Sequence, residues 1–148
     1  MLLNEFINLY LVLEGKIEDA KAKSALTRLL DNEEVSKEEL FELAKNKNLT
    51  VRKAVAKNPK IPKEILEILS KDKNWEIRET VVKNLNVPKE ILELLATDEE
   101  LYVRASVAKN PNTPKEILEI LAKDKKSSYV RASVAENLSA PKEILEIL

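Results

Sequence analysis

The sequence predicts an all-α fold, a solenoid of short helix–turn–helix repeats that forms a single domain over residues 1–148. An internal repeat is the first observation: a Val-Arg or Ile-Arg pair stands at residues 51, 77, 103 and 130, in steps of 26, 26 and 27 residues. Such periods are typical of solenoids in which each repeat is one supersecondary unit. Each copy also has an Asn and then a Pro between two apolar segments, which indicates two helices separated by a turn.

The N-terminal part departs from the repeat, and we predict that residues 1–24 form a helical cap. The opening segment is apolar but contains Glu5 and Glu14, and it has no basic stretch or small-residue cleavage site of a signal peptide. It is too short and too polar to span a bilayer. We therefore expect a helix of a soluble fold, a cytoplasmic protein and no association with a membrane.

Residues 25–50 read as a degenerate copy of the repeat, because they keep its Asn and Leu positions but lack its Arg and its Pro. Residues 51–148 hold four copies, and the last of them ends with the chain. One such helix pair has two apolar faces and cannot bury both alone, so stacking of the copies is expected to close the core.

The first helix of each copy is expected to start near a residue that binds free amides or favours the helix dipole: Asn74, Glu100 or Ser127. Val103 and Val107 share one face at i, i+4. We expect two to three turns, partly 3₁₀. The helix should end at Asn110, because Asn tolerates the left-handed conformation and the chain has only one Gly.

The second helix of each copy is expected to begin at the Pro, which fits the first helical position. In the third copy Thr113 and Glu116 have the spacing of a capping box. Four apolar residues then form a broad stripe that we expect to stack in the core: Ile117, Leu118, Ile120 and Leu121.

These residues resemble the leucine-rich repeat variant (LRV) motif. The pattern is V-R-x-A/S-V-A-x-N-P-x-x-P-x-E-x-L-x-x-L-A-x-D, and it is best matched at 51–72 and 103–124. The resemblance covers 51–148 well and 25–50 poorly, and Leu85 and Leu138 replace the first Pro in two copies. It implies a right-handed superhelix of alternating α and 3₁₀ helices, and the V-R-x-A-x-A element is also similar to HEAT repeats.

The composition excludes several kinds of chemistry. The chain has no Cys and no His, so it lacks thiolate ligands, a thiol nucleophile and the commonest acid–base residue. Some LRV-type proteins carry an iron–sulfur cluster bound by N-terminal Cys residues, which this chain cannot hold. We therefore expect no cofactor, no metal site and no enzymatic activity. The 25 basic and 26 acidic residues nearly balance, which argues against nucleic acid as the partner.

One Arg recurs in every copy: Arg52, Arg78, Arg104 and Arg131. Such a column could bind phosphate or carboxylate groups of a partner. The interpretation that we favour is structural, because an Asp precedes each of the last three Arg residues by six or seven positions and could pair with it across the loop.

Three aromatic residues begin the first helices. Trp75 aligns with Leu49 and Leu101 and is expected to fill a core column. Tyr102 and Tyr129 align with polar residues, so we expect them to be partly exposed and consider them as anchors for a partner. The final copy ends without a polar cap, which predicts an exposed apolar face that mediates self-association through these residues: Ile144, Ile147 and Leu148.

The function that these features favour is a non-catalytic scaffold that binds a protein or peptide, with self-association through the C-terminal repeat. A nucleic-acid-binding solenoid that uses the Arg column is the alternative.

Overall fold

The computed structural model describes Gly15 and residues 17–148. Within this part of the chain every regular element is an α-helix, and the all-α prediction is confirmed. The helices, in order, are α1 (Ala20–Leu30), α2 (Lys37–Ala44), α3 (Leu49–Lys57), α4 (Lys63–Leu69), α5 (Trp75–Val82), α6 (Lys89–Leu95), α7 (Leu101–Lys109), α8 (Lys115–Ala122), α9 (Ser128–Ala135) and α10 (Lys142–Leu145).

The helices are stacked in pairs, with two layers. Along the first layer α1, α3, α5, α7 and α9 each pack against the next member of the series. In the second layer α2 packs against α4 and α8 packs against α10. The four predicted copies in 51–148 correspond to the pairs α3/α4 to α9/α10. Most of the predicted cap, residues 1–24, lies outside the described residues, and α1 begins at Ala20, inside the cap range. The right-handed sense of a superhelix stays a prediction.

The first helices start at the residues expected from the sequence. Asn74 and Ser127 are N-caps whose side chains accept backbone N–H bonds, from Glu76 at 2.8 Å and from Val130 at 3.3 Å. Glu100 is also an N-cap, but its side chain makes no capping bond. Its position at the positive end of the helix dipole is favourable by itself.

The second helices begin one residue later than predicted, because each Pro is the N-cap and not the first helical residue. The capping box expected at Thr113 and Glu116 is wrong. Thr113 is buried where the other copies have Ile61 and Val87, and its hydroxyl donates to the Val107 carbonyl at 2.6 Å. Because this hydroxyl points into the core, it is not available to cap α8.

The first helices are α-helical along their length, so the 3₁₀ segments expected there are not observed. Bonds of the 3₁₀ type occur at the termini of these helices, as from the Ile77 N–H to the Asn74 carbonyl and from the Asn58 N–H to the Val55 carbonyl, each at 3.1 Å. The left-handed conformation expected at Asn110 is also wrong: this residue is the C-cap, in an extended conformation with φ −68°. Among the described residues the one non-glycine residue with positive φ is Asn32.

The core runs through all the pairs as columns of equivalent residues. Val103 and Val107 of α7 are fully buried, and so are their equivalents in α3, α5 and α9. In α8 the stripe is narrower than predicted, because Ile117, Leu118 and Leu121 are buried while Ile120 is 57% exposed. Every fully buried side-chain N or O atom of the described residues has a hydrogen-bond partner, so the stacking leaves no buried polar group unsatisfied.

Candidate interaction surface

The Arg column lies between the stacked pairs. In three copies the Arg side chain is buried and its Nε donates to an Asp carboxylate: Arg52 to Asp72 at 2.6 Å, Arg78 to Asp98 at 2.7 Å, and Arg104 to Asp124 at 2.7 Å. The Asp lies 20 residues after the Arg, in the loop that follows the second helix, and not in the preceding loop as the sequence suggested. These three guanidinium groups are therefore occupied within the protein.

Each Arg also binds the preceding loop, but through a backbone carbonyl. Nη1 of Arg78 donates to the Asp72 carbonyl at 2.8 Å, and Nη1 of Arg104 donates to the Asp98 carbonyl at 2.7 Å. One guanidinium thus joins two consecutive loops. Charge-assisted bonds of this kind are about twice as strong as neutral ones, which explains why the column recurs without exception in the four copies.

One member of each of two ion pairs, Arg78 and Asp124, has a shifted pKa. The hydrogen bond to Asp98 raises the pKa of Arg78, although burial opposes this effect. Burial alone would raise the pKa of Asp124, but hydrogen bonds from Arg104 and from the backbone N–H groups of Lys126 and Ser127 lower it overall. Both groups are therefore held in their charged forms.

Arg131 occupies the same position in the last copy but has fewer partners. Its Nη1 donates to the Asp124 carbonyl at 2.7 Å. No carboxylate of the described residues lies within 4.0 Å of its guanidinium nitrogens, and the side chain is partly exposed. Arg131 is therefore the one member of the column without a carboxylate partner in the part of the chain that the structure describes.

The Asn that recurs in each copy forms a second connection between copies, and we call these residues the Asn column (Asn58, Asn84, Asn110 and Asn137). The amide nitrogen of Asn84 donates to the Ala56 carbonyl at 2.9 Å, and that of Asn110 donates to the Val82 carbonyl at 2.7 Å. The side-chain oxygen of Asn110 accepts the N–H of Asn112 at 2.8 Å. The predicted helix stop at Asn110 is therefore accompanied by a bond to the turn and by a bond to the preceding copy.

The aromatic residues form one continuous row on the first helices, which we call the aromatic row (Trp75, Tyr102 and Tyr129). The rings of Trp75 and Tyr102 are stacked at 5.3 Å between centroids, and Tyr102 meets Tyr129 edge to face at 6.3 Å. Trp75 is half-buried against the core, as its alignment with Leu49 and Leu101 predicted. Tyr102 is 50% exposed and Tyr129 is 48% exposed, so their predicted exposure is confirmed.

The charged residues around the aromatic row are paired with each other. Lys109 donates to Glu136 at 2.9 Å, and its Nζ lies 5.2 Å from the centroid of the Tyr129 ring. The hydrogen bond to Glu136 raises the pKa of Lys109. Glu76, beside Trp75 in α5, accepts from Lys53 at 2.9 Å. Because these charges are neutralised in pairs, the row presents aromatic surface with little net charge.

The C-terminal pair exposes a different set of residues from the one predicted. Ile144 is buried and belongs to the core column, so its assignment to an exposed self-association face is wrong. Three other side chains are exposed: Leu145 at 43%, Ile147 at 42% and Leu148 at 45%. The equivalents of Leu145 and Leu148 in the earlier copies are buried, because the next pair covers them.

A column of aliphatic residues follows the second helices, and we call it the aliphatic row (Ile68, Leu94, Ile120 and Ile147). The sequence predicted exposure of Ile147 but not of Leu94 and Ile120. The members of the row occupy the same position in each copy. Ile120 lies three residues after the buried Ile117, which is why the spacing suggested a core position. The signal that could have identified it is the angular width of the apolar stripe: with 100° per residue, Ile120 lies about 160° from Leu118, on the other side of the helix.

Comparisons with known proteins give no relative from which function could be transferred. No family model, no curated protein and no solved structure matches this chain. In the part of the chain that the structure describes, no helix is both long and apolar enough to cross a membrane. Nor does that part contain a group of three or more acidic side chains arranged to hold a metal ion.

Proposed function

We propose that this protein is a non-catalytic scaffold of LRV-like repeats that binds a protein or peptide over its aromatic row. The observation that carries the proposal is the exposed pair Tyr102 and Tyr129, which stand in consecutive copies and in contact with each other. The equivalent positions in the two preceding copies are Thr50 and Glu76. The repeat therefore folds without an aromatic residue at this position.

The physical properties of the row suit binding of a partner. Tyr and Trp are enriched among the residues that dominate binding energy, and truncation of such a residue costs about 2 kcal/mol or more. Tyr102 is held between the Trp75 and Tyr129 rings. Because its orientation is fixed before binding, less side-chain entropy is lost when a partner covers it.

The residues of this surface offer little for catalysis. The carboxylates nearest the row, Glu76 and Glu136, are paired with Lys residues on an open surface, whereas acid–base catalysis by carboxylates needs a sheltered site that shifts their pKa values. This supports the non-catalytic part of the proposal.

Affinity capture from the native lysate with mass spectrometry tests the proposal, with wild type and two double variants as baits. Tyr102→Ala with Tyr129→Ala removes the two exposed rings of the row. Leu85→Ala with Leu138→Ala is the matched control, since Leu85 and Leu138 are exposed apolar residues in the turns that follow α5 and α9. We expect a protein partner that wild type and the control retain and the Tyr variant loses. Equal recovery by all three baits would contradict the proposal.

The alternative function, nucleic-acid binding by the Arg column, draws less support from the geometry. Three of its four guanidinium groups are buried in ion pairs, and only Arg131 has no carboxylate partner among the described residues. The same capture with and without nuclease separates the two hypotheses. A partner that disappears on nuclease treatment, together with a steeply salt-dependent gel shift with random DNA, would favour nucleic acid.

Self-association through the C-terminal pair belongs to the same proposal, now with Leu145, Ile147 and Leu148 as the exposed residues. Light scattering at micromolar concentration tests it. We expect polar substitution of Ile147 and Leu148 to convert a dimer to a monomer. A monomeric wild type would contradict this part of the proposal.

A further inference from the structure

The aliphatic row is a second exposed apolar feature, and it lies on the other helix layer from the aromatic row. Leu94 is 46% exposed, Ile120 57% and Ile147 42%, while Ile68 is half-buried. Leu94 lies in α6, Ile120 in α8, and Ile147 in the turn that directly follows α10. Three consecutive copies therefore present a large aliphatic side chain to solvent at the same position.

The core does not require these side chains. In α8 the helix is anchored by Ile117, Leu118 and Leu121, all of which are almost completely buried. The remaining exposed positions of the helix, such as Glu116 and Glu119, are charged. A polar residue at the position of Ile120 would therefore leave the packing of α8 intact. Single exposed aliphatic residues are ordinary, but recurrence in one column indicates an interaction surface.

The members of the row are aligned by the stacking of the second helices. Lys37 of α2 pairs with Glu64 of α4 at 2.8 Å, and Lys63 of α4 pairs with Glu90 of α6 at 3.4 Å. These bridges join equivalent turns of α2, α4 and α6, and α8 packs against α10 further along the same layer. Packed helices are about 8–10 Å apart. Seven residues of an α-helix rise about 10.5 Å, which is nearly the same step.

The row has an acidic flank. A residue four positions earlier lies on the same face of a helix, and for Leu94, Ile120 and Ile147 that residue is a Glu: Glu90, Glu116 and Glu143. Glu90 is paired with Lys63, but neither Glu116 nor Glu143 has a cation within 4.0 Å among residues 17–148. Lys115 lies five positions before Ile120 and therefore about 140° around the helix, and no carboxylate of residues 17–148 lies within 4.0 Å of its Nζ.

From this arrangement we propose that the aliphatic row docks an amphipathic helix of another protein. The helix lies across the second helices, places an aliphatic residue at every seventh position on Leu94, Ile120 and Ile147, and directs Lys or Arg residues along one flank to Glu116 and Glu143. Helices that bind with an apolar face use anchors at regular turns, and basic residues on one flank fix their direction. The proposal is independent of the aromatic row and of the function proposed for it.

A defined peptide can test this site without knowledge of the natural partner. The probe is a fluorescein-labelled, Ala-rich peptide of about 22 residues, long enough at about 33 Å to cross three copies. It has Leu at every seventh position and two Lys residues beside each Leu on one flank. Two control peptides carry Ser in place of Leu, or Glu in place of Lys. Fluorescence anisotropy gives the Kd of each peptide for the intact protein.

We expect the Leu/Lys peptide to bind saturably and both control peptides to bind at least tenfold more weakly. The triple variant Leu94→Ser, Ile120→Ser and Ile147→Ser should weaken binding at least tenfold. The matched control with Leu85→Ser and Leu138→Ser should not change the Kd. Glu116→Gln with Glu143→Gln should weaken binding about threefold and reduce its salt dependence.

Several results would overturn the proposal. They are the absence of saturable binding by the Leu/Lys peptide, binding that the triple variant retains, and equal binding of the Lys and Glu peptides. Circular dichroism of each variant verifies that the fold is intact. A wild-type dimer that becomes monomeric when only Leu94 and Ile120 are replaced by Ser would assign the row to contact between copies of this chain and would also overturn the proposal. Loss of peptide binding in the Tyr102 and Tyr129 variant would place the peptide on the aromatic row instead.

Discussion

Replacement of Arg104 by Gln should destabilise the protein far more than the same replacement of Arg131. The two residues occupy equivalent positions in consecutive copies, and each donates through Nη1 to the backbone carbonyl of the preceding Asp at 2.7 Å. Only Arg104 is also paired with a carboxylate, that of Asp124. The two substitutions therefore differ mainly by this buried ion pair.

The magnitude follows from the partners that remain. Removal of one member of a buried ion pair costs about 3–5 kcal/mol, because the other charge stays buried without compensation. Asp124 keeps two N–H donors, from Lys126 at 2.8 Å and Ser127 at 2.9 Å, so the low end of this range applies to Arg104→Gln. For Arg131→Gln we expect about 1.5 kcal/mol, the value of one hydrogen bond that involves a charged group.

Urea denaturation at pH 7, followed by circular dichroism at the helix band and by Trp75 fluorescence, measures both free energies of unfolding. We expect Arg104→Gln to be less stable than Arg131→Gln by about 1.5 kcal/mol. The difference should persist in about 1 M salt, because a buried pair is little screened. A difference below about 0.5 kcal/mol, or one that salt abolishes, would refute the reasoning that the buried pair carries the stability of this link.

Three further predictions concern stability. The pKa of Asp124 is lowered in the fold, so the contribution of its charge to the free energy of unfolding is complete above about pH 4 and is lost as the pH falls through the folded pKa. In urea titrations the loss of stability caused by Asp124→Asn should therefore shrink between pH 7 and pH 3. A loss that stays constant over this range would contradict the prediction. Asn110→Ala should lower the free energy of unfolding by about 1–2 kcal/mol, because it removes the bond to Val82, and the exposed control Asn112→Ala should lower it by less than about 0.5 kcal/mol. Equal losses would argue against the bond between copies. Leu118→Ala, at a fully buried position, should lower the free energy of unfolding by about 3 kcal/mol, and Leu145→Ala, at the equivalent exposed position, by about 1 kcal/mol or less, as measured by thermal unfolding. Comparable losses would mean that the exposed face of the last pair is covered in solution.

The repeat and its helix boundaries were predictable from the sequence because they depend on local interactions. An Asn or Ser before an apolar segment caps a helix through bonds two or three residues away, as Asn74 and Ser127 do. The exposure of Tyr102 and Tyr129 was predictable for a similar reason, because alignment of the copies showed polar residues at the same position.

The errors at Arg104, Ile144 and Ile120 concern how the helix pairs stack, which local patterns do not specify. Arg104 has an Asp on each side in sequence, and which carboxylate it meets depends on how the pairs stack. The assignment of Ile144 to the exposed end is wrong because the sequence pattern is the same for a residue buried within its own helix pair and for one buried by the next pair. The same ambiguity hid Ile120, whose helix is apolar on more than the side that faces the core.

The bonds between copies also affect the order in which the chain can fold. The Arg–Asp pairs join residues 20 positions apart, and the Asn84 and Asn110 amides reach carbonyls 28 positions away, so neighbouring pairs are tied by short loops. Loop closure on this scale loses little chain entropy, and proteins dominated by such contacts fold quickly. Folding can therefore nucleate at any two adjacent pairs and spread in both directions, with the Arg of each new pair binding the backbone carbonyl of the preceding Asp.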